Sequence, residues 1–281
     1  MISTLQSVVT KAQRGKYAVG AFNVSDLEQI QAVIWAAEKL KSPVIINTTE
    51  KAIAYAGSKV LSGIVHTLAK QVRVPVVLNL DHGRDVAIAK QCIREGWTGI
   101  MFDGSTLPYE QNIKKTLSVA LAGKVKGVGV EGELGRVKYP DEREKDPEVE
   151  KTDVDQALDF VRRTKICAFA VAIGNTHGLP VKDERLDFAL LKKIQHHLSV
   201  PLVLHGASGT PPADIRKAIT LGICKINIDT DLRLAFTEAL RTVLAEQKKL
   251  YDPRAILEVG RAAVQAEVEK HIRLFGSAGK A

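Results

Sequence analysis

The chain has 281 residues, of which 45% are hydrophobic and 26% charged, with a formal net charge of +8. That is enough apolar material for one large core, and no apolar run reaches the roughly 20 residues that a membrane-spanning helix needs. Lys and Arg are scattered rather than gathered into a stripe, and aromatics make up only 5%, which argues against nucleic acid as a partner and leaves anionic metabolites as the natural counterpart of the charge.

The opening segment, MISTLQSVVTKAQRGKY, lacks a basic stretch followed by an apolar one, so no secretory leader is expected. Cys92, Cys167 and Cys224 are far apart and form no CxxC pair, so neither a disulfide framework nor a thiolate zinc knuckle is expected. A reducing, cytoplasmic setting is the simplest one. From residue 17 onward, short apolar runs alternate with longer amphipathic ones. YAVGAF (17–22) reads as a strand, and 26–41 as a helix in which Leu27, Ile30, Val33, Ile34 and Ala37 recur at helical spacing. The pattern continues with PVIINT (43–48) and a helix over 58–72, PVVLNL (75–80) and 84–95, GIMFD (99–103) and 109–123. It goes on through GVGVEGE (127–133) and 153–164, AFAVAIG (168–174) and 185–198, PLVLHG (201–206) and 212–221, then CKINID (224–229) and 231–248.

Eight strands, each followed by a helix, imply parallel pairing, and their nearly continuous apolar character fits burial on both faces. The expected fold is an α/β (β/α)8 TIM barrel forming one domain over 1–281. A doubly wound open sheet is the alternative, weakened because no dinucleotide fingerprint follows the first strand. One further helix, near 255–274 within a C-terminal helical extension near 252–281, lies outside the eight-unit count and is expected to pack on a neighbouring subunit. The segment 134–153 is highly charged, holds two prolines and has almost no apolar residue. It is expected to be a mobile loop, near 135–153, that closes over the catalytic face rather than a plain solvated insertion.

In such a barrel the chemistry sits at the C-terminal ends of the strands. Those ends carry Asp81-His82, Asp103-Gly104-Ser105, Glu131-Gly132-Glu133, His177, His205 and Asn227 with Asp229. One strand-end histidine is usually structural. Three, each followed by glycine (DHG, THG, LHG), suggest a catalytic metal site with an open coordination position. Asp103 and Glu133 are expected to orient those imidazoles or to bind the metal in an alternative position. His66, His196, His197 and His271 fall within helical patterns and read as packing or surface residues. The glycine-rich turn LHGASGTPP (204–212) and the neighbouring NIDTD (227–231) form a candidate anion cradle at the place where phosphate sites recur in this fold. Asp81, beside a metal ligand, is expected to exchange a proton with a substrate hydroxyl. No lysine ends strand 6, which favours metal over imine chemistry. Metal-dependent hydrolysis and non-catalytic polyanion binding are the competing classes, and the HxH pair common on strand 1 of barrel hydrolases is absent.

With these residues in hand the chain resembles the class II, metal-dependent fructose-1,6-bisphosphate aldolases. The motifs run from AFNV (21–24) through LNLDHG (78–83), FDGS (102–105), EGELG (131–135), AIGNTHG (172–178), LHGASGTP (204–211) and KINIDTDLRLAFT (225–237) to YDPR (251–254) and FGSAGKA (275–281). The resemblance implies that His82, His177 and His205 hold one zinc ion and that Asp81 serves the C4 hydroxyl. It implies that Gly178, Gly206, Ala207, Ser208, Asn227, Ile228, Asp229 and Thr230 bind dihydroxyacetone phosphate, supported by a monovalent cation (Na+ or K+). Asn23 and Thr49 match substrate-pocket positions. Arg254 matches an arginine that reaches the other phosphate from a neighbouring subunit, which implies a homodimer or homotetramer with no nucleic acid or membrane partner. A loop glutamate would take the proton of dihydroxyacetone phosphate; in YPDERE (139–144) the choice is Glu142, with Asp141 second. Ala207 also occurs among tagatose 1,6-bisphosphate aldolases of the same family, the alternative function. Asp229, within IDTD rather than VATE, points to fructose bisphosphate.

Overall fold

The computed structural model describes residues 1–138, 142, 150–178 and 185–281. Its strands are β1 Val19–Asn23, β2 Val44–Thr49, β3 Val76–Gly83, β4 Gly99–Phe102, β5 Gly129–Leu134, β6 Ala168–Val171, β7 Leu202–Leu204 and β8 Ile223–Ile228. They pair in parallel in sequence order, and β8 pairs with β1 to close a barrel. Among the described residues there are eleven helices. They are α1 Leu5–Gly15, α2 Leu27–Lys39, α3 Glu50–Ala56, α4 Ser58–Ala69, α5 Val86–Arg94 and α6 Tyr109–Lys126, then α7 Val154–Thr164, α8 Phe188–His197, α9 Pro212–Thr220, α10 Thr230–Glu246 and α11 Pro253–Leu274. None is long and apolar enough to cross a membrane. The (β/α)8 barrel is therefore as expected.

Local chemistry sets the helix starts. Asp26, Asp153 and Asp187 each accept a backbone N–H from the first turn of α2, α7 and α8, which satisfies a donor that the helix itself cannot. Alternation along the strands then sorts side chains between two cores. Phe22, Ile46, Leu78, Leu80, Phe102, Phe169, Leu204 and Ile226 pack outward against the helices. Val19, Ala21, Ile45, Val77, Met101, Ala168, Ala170 and Val203 pack inside the barrel. The inner core is completed by α1, an element that strand-and-helix counting from residue 17 passes over. Leu5, Val8, Val9 and Ala12 are buried on its inner face and plug the N-terminal end of the barrel.

The last helix, α11, lies along α2 and α10 of its own barrel. Its Val264, Val268 and Ile272 are fully buried there, so one face of the helix is covered within its own chain. The segment expected to be a mobile loop lies largely outside the described residues, as does Asp141.

Candidate active site

Above the apolar layer the barrel interior turns polar. The inward positions that follow Ala21, Ile45 and Val77 are Asn23, Asn47 and Asn79, which stand in register on neighbouring strands. They form a buried amide ladder: Asn79 Nδ2 donates to Asn47 Oδ1 at 3.0 Å, and Asn47 Nδ2 donates to Asn23 Oδ1 at 3.3 Å. Asn23 Nδ2 then donates to Asp81 Oδ2 at 2.8 Å. The other Asp81 oxygen accepts from Asn227 Nδ2 of β8 at 2.9 Å. The carboxylate is thus held by two amides, one from each of the adjacent strands β1 and β8.

On a regular strand Asp81 and His82 would point to opposite faces of the sheet. Here the β3–β4 register shifts between Leu80 and Gly83, and His82 takes a φ of 47°. This bulge turns both side chains toward the barrel mouth. The left-handed conformation is costly for a residue with a Cβ, and the surroundings enforce it. Glu50, at the start of α3, accepts from the backbone N–H of Arg84 at 2.8 Å and of Asp85 at 3.0 Å. Gly83 leaves no room for a side chain, since a Cβ there would fall 3.0 Å from Met101 O.

The three predicted histidines converge. His205 Nδ1 lies 3.0 Å from His82 Nε2, and the His177 ring centroid lies 4.8 Å from that of His82. One nitrogen from each imidazole falls within 4.8 Å of the others. His82 Nδ1 is 3.0 Å from Asp103 Oδ2, a contact that fixes the orientation of the ring. For His205 that task falls to Glu131 rather than Glu133: Glu131 Oε1 lies 2.8 Å from His205 Nε2. Glu133 is buried near His82 and Asp103, and its Oε2 has no hydrogen-bond partner among the described residues.

The electrostatics follow from burial and charge. Burial and the neighbouring imidazoles hold His177 well below its ordinary value. Burial also lowers His205, against the opposing pull of Glu131. His82 is buried too, but Asp81, Asp103 and Glu133 outweigh that and raise it to about 9. Burial raises the Glu133 carboxyl to about 8, helped by the Asp103 charge. Asp103 is pushed up by burial, yet His82, Ser105 and Arg84 hold it well below the carboxylate range. The donor set fits a divalent metal. Two ring nitrogens face each other at 3.0 Å, a third is close, and imidazole nitrogen is a favoured ligand type for such ions.

A cavity of about 370 Å³ opens over these groups. Of the predicted substrate positions, Asn23, Thr49, Gly178, Gly206, Ser208, Asn227, Asp229 and Thr230 line it, together with Asp81 and the three histidines. Ala207 is buried beneath the turn, and the Ile228 side chain packs in the outer core. Gly206 sits at a φ of 60°, where a Cβ would lie 2.2 Å from Thr176 O. Only glycine lets the turns after β6 and β7 approach this closely. Ser208 Oγ accepts from the backbone N–H of Asp231 at 3.4 Å, which joins this turn to the start of α10. Arg254 is exposed, paired with Asp252, and does not line the cavity. Glu142 is half-buried, forms an ion pair with Arg136 and also lies outside the lining. Three cations at the cavity were not anticipated: Lys51, Arg84 and Arg233.

The geometry defines a (β/α)8 barrel enzyme whose imidazole cluster, fixed carboxylate and anion-shaped turn share one mouth. The family model described as fructose-bisphosphate aldolase class-II matches residues 3–280. The fructose-bisphosphate aldolase of Geobacillus stearothermophilus is 41% identical, over 99% of this chain and 98% of its own length. The D-tagatose-1,6-bisphosphate aldolase subunit GatY of Klebsiella oxytoca is 38% identical, over 99% of each. The crystal structure of the YdjI aldolase from Escherichia coli K12 superposes with a TM-score of 0.87 at 36% identity, covering 100% of both chains. The chain belongs to the class II fructose-bisphosphate aldolase family. It is an aldolase-type lyase of a family that generally uses a divalent metal.

Proposed function

We propose that the protein catalyses the reversible aldol cleavage of fructose 1,6-bisphosphate to dihydroxyacetone phosphate and glyceraldehyde 3-phosphate, a step of glycolysis and gluconeogenesis. The observation that carries this reading is the shared cavity. Asp81, His82, His177 and His205 line it together with the Gly206–Ser208 turn and the first residues of α10. A zinc ion held by His82, His177 and His205 would supply Lewis-acid polarisation of the ketose carbonyl. Asp103 and Glu133, grouped with His82, offer an alternative set of metal ligands.

The protein's own residues do the rest. Backbone N–H groups of the turn, Ser208 and the α10 N-terminus receive one phosphate, beside a monovalent cation. Asp81 takes the proton of the C4 hydroxyl as the carbon–carbon bond breaks, and returns it in the condensation direction. Its two amide donors, Asn23 and Asn227, keep it from rotating. Glu142 is assigned the proton of dihydroxyacetone phosphate. Arg254 is assigned the second phosphate in a neighbouring subunit of a homodimer or homotetramer.

A second reading, tagatose 1,6-bisphosphate as substrate, is favoured by Ala207 and by the likeness to the Klebsiella protein. Asp229, within IDTD rather than VATE, argues for fructose; it lines the cavity, with its Oδ1 2.6 Å from Arg233 Nε. The test is a coupled cleavage assay with both sugar bisphosphates, with and without a tight chelator. Chelator-sensitive cleavage that prefers fructose 1,6-bisphosphate is expected. Preference for tagatose would discard the substrate assignment, and activity untouched by chelation would discard the metal.

A further inference from the structure

The reaction as proposed leaves one charged group in the barrel without a task. Lys225, midway along β8, is completely buried. Its Nζ lies 2.8 Å from Glu131 Oε2, and Glu131 is completely buried as well. Burial raises the Glu131 carboxyl, but at that distance the ammonium is the cation that, together with His205, lowers it to about 2. Burying such a pair is expensive, and apolar residues of the same volume commonly serve stability as well or better. The sequence places an ammonium inside the barrel where a leucine would pack.

What the pair does becomes visible at His205. A carboxylate can only accept, so the ring nitrogen facing Glu131 Oε1 at 2.8 Å must carry the proton. That is Nε2. The other nitrogen, Nδ1, keeps its lone pair. Nδ1 is the atom 3.0 Å from His82 Nε2, and it also receives the Asn227 amide at 3.2 Å. The contacts on both sides of the ring therefore select the same tautomer, the one whose bare nitrogen faces the imidazole cluster. Glu131 can enforce this only while it presents an acceptor to His205, and Lys225 is the cation beside its other oxygen.

We propose that Lys225 is a positioning residue: its charge holds Glu131 as an oriented carboxylate, and Glu131 locks His205 in the tautomer that can ligate a metal ion. The inference rests on the metal role proposed for His205. It makes a prediction that a merely structural lysine does not. In Glu131→Gln, the side chain has one accepting end and one donating end. Lys225 can only donate, so it claims the amide oxygen and turns the NH2 group toward His205. Nε2 must then accept, the ring proton moves to Nδ1, and His205 loses its metal-facing lone pair. Removing Lys225 as well frees the amide to turn back, and the Asn227 amide donating to Nδ1 favours that return.

The experiment compares wild type, E131Q and the double variant E131Q/K225M. Each is the full chain, metal-free and 15N-labelled, with the His205 signals assigned from His205→Ala. Long-range proton–nitrogen imidazole correlations read the tautomer, and competition with a chelating indicator reads zinc affinity. Wild type is expected to show Nε2–H. E131Q should show Nδ1–H and at least about a tenfold loss of zinc affinity, as when a ligand-orienting partner is lost. The double variant should recover Nε2–H and bind zinc more tightly than E131Q. It leaves no uncompensated buried charge, so the comparison does not depend on K225M folding by itself. E131Q keeping Nε2–H, or a double variant no better than E131Q, would overturn the proposal. If His205→Ala bound zinc as tightly as wild type, the metal role of His205 would fall instead, whatever the tautomers showed.

Discussion

Asp81 shows how much of a residue's task is set by its neighbours. A carboxylate at the tip of a strand is ordinarily solvated and free to rotate. Here it is 4% exposed and each oxygen accepts from a different asparagine amide. The Asn23 amide is itself fixed through Asn47 and Asn79. Asp81→Asn keeps the volume and removes the proton acceptor. It is expected to lower kcat by about 10²–10⁴-fold, the usual contribution of a general base, while zinc content measured by metal analysis stays at the wild-type level. Loss of the metal together with activity would mean that Asp81 shapes the imidazole cluster rather than acting on substrate. Sequence reasoning located Asp81 and the three histidines because their types and their glycine neighbours are unusual at strand ends. It gave no task to Asn47, Asn79 and Lys225, since polar residues inside apolar runs acquire meaning only from strand register. Glu131 and Glu133 lie two residues apart on the same face, and their partners across the barrel decide which one orients His205.

At the scale of elements, α11 is the clearest case. Period counting found the helix but not its neighbours, because a helix beyond the eight-unit repeat has no position assigned by the repeat. A polar contact joins the apolar packing that holds it. His271 Nε2 lies 3.0 Å from Asp231 Oδ2 of α10 and 3.1 Å from Glu267 Oε1 of its own helix, and its ring packs against Phe22 and Phe275. Lys270 is the remaining charge, bound to Glu267 at 2.8 Å. Burial lowers the His271 pKa, but the hydrogen bonds to Asp231 and Glu267 outweigh it and the net shift is upward. Glu267 is lowered to about 2, chiefly by His271. The raised histidine therefore stabilises the fold fully below its unfolded value of about 6.5, and the gain fades as pH rises through the folded value. The lowered glutamate contributes above about 4.5 and is lost as pH falls toward 2. His271→Gln should consequently cost most stability between about pH 4.5 and 6.5 and least in alkali. Thermal melts of the two proteins across that range check this. A melting-temperature gap that widened above pH 8 would refute the imidazolium.

For the whole molecule, alternation decides almost everything. Eight strands in sequence order, read from apolar runs alone, suffice for the barrel, because parallel strands joined by helices leave few other closures. The plug helix α1 was missed although Thr4 caps it and Leu5, Val8, Val9 and Ala12 recur at helical spacing. It precedes the first strand, where the repeat offers no slot. Arg254 poses the remaining question of assembly. It stands in the exposed first turn of α11, outside the residues that line the cavity. If it serves a neighbour's site, Arg254→Ala and Asp81→Asn should each be impaired alone, yet a co-refolded mixture should regain activity through hybrid assemblies. A mixture no more active than its parts would confine Arg254 to its own subunit.

The plug has a kinetic corollary. With α1 sealing one end of the barrel, the described residues leave the opposite mouth as the approach to the reacting groups. Two fragments made by one cleavage must then queue. If the turn after β7 holds the phosphate of one fragment, as proposed, that fragment lies behind the one nearer solvent and leaves second.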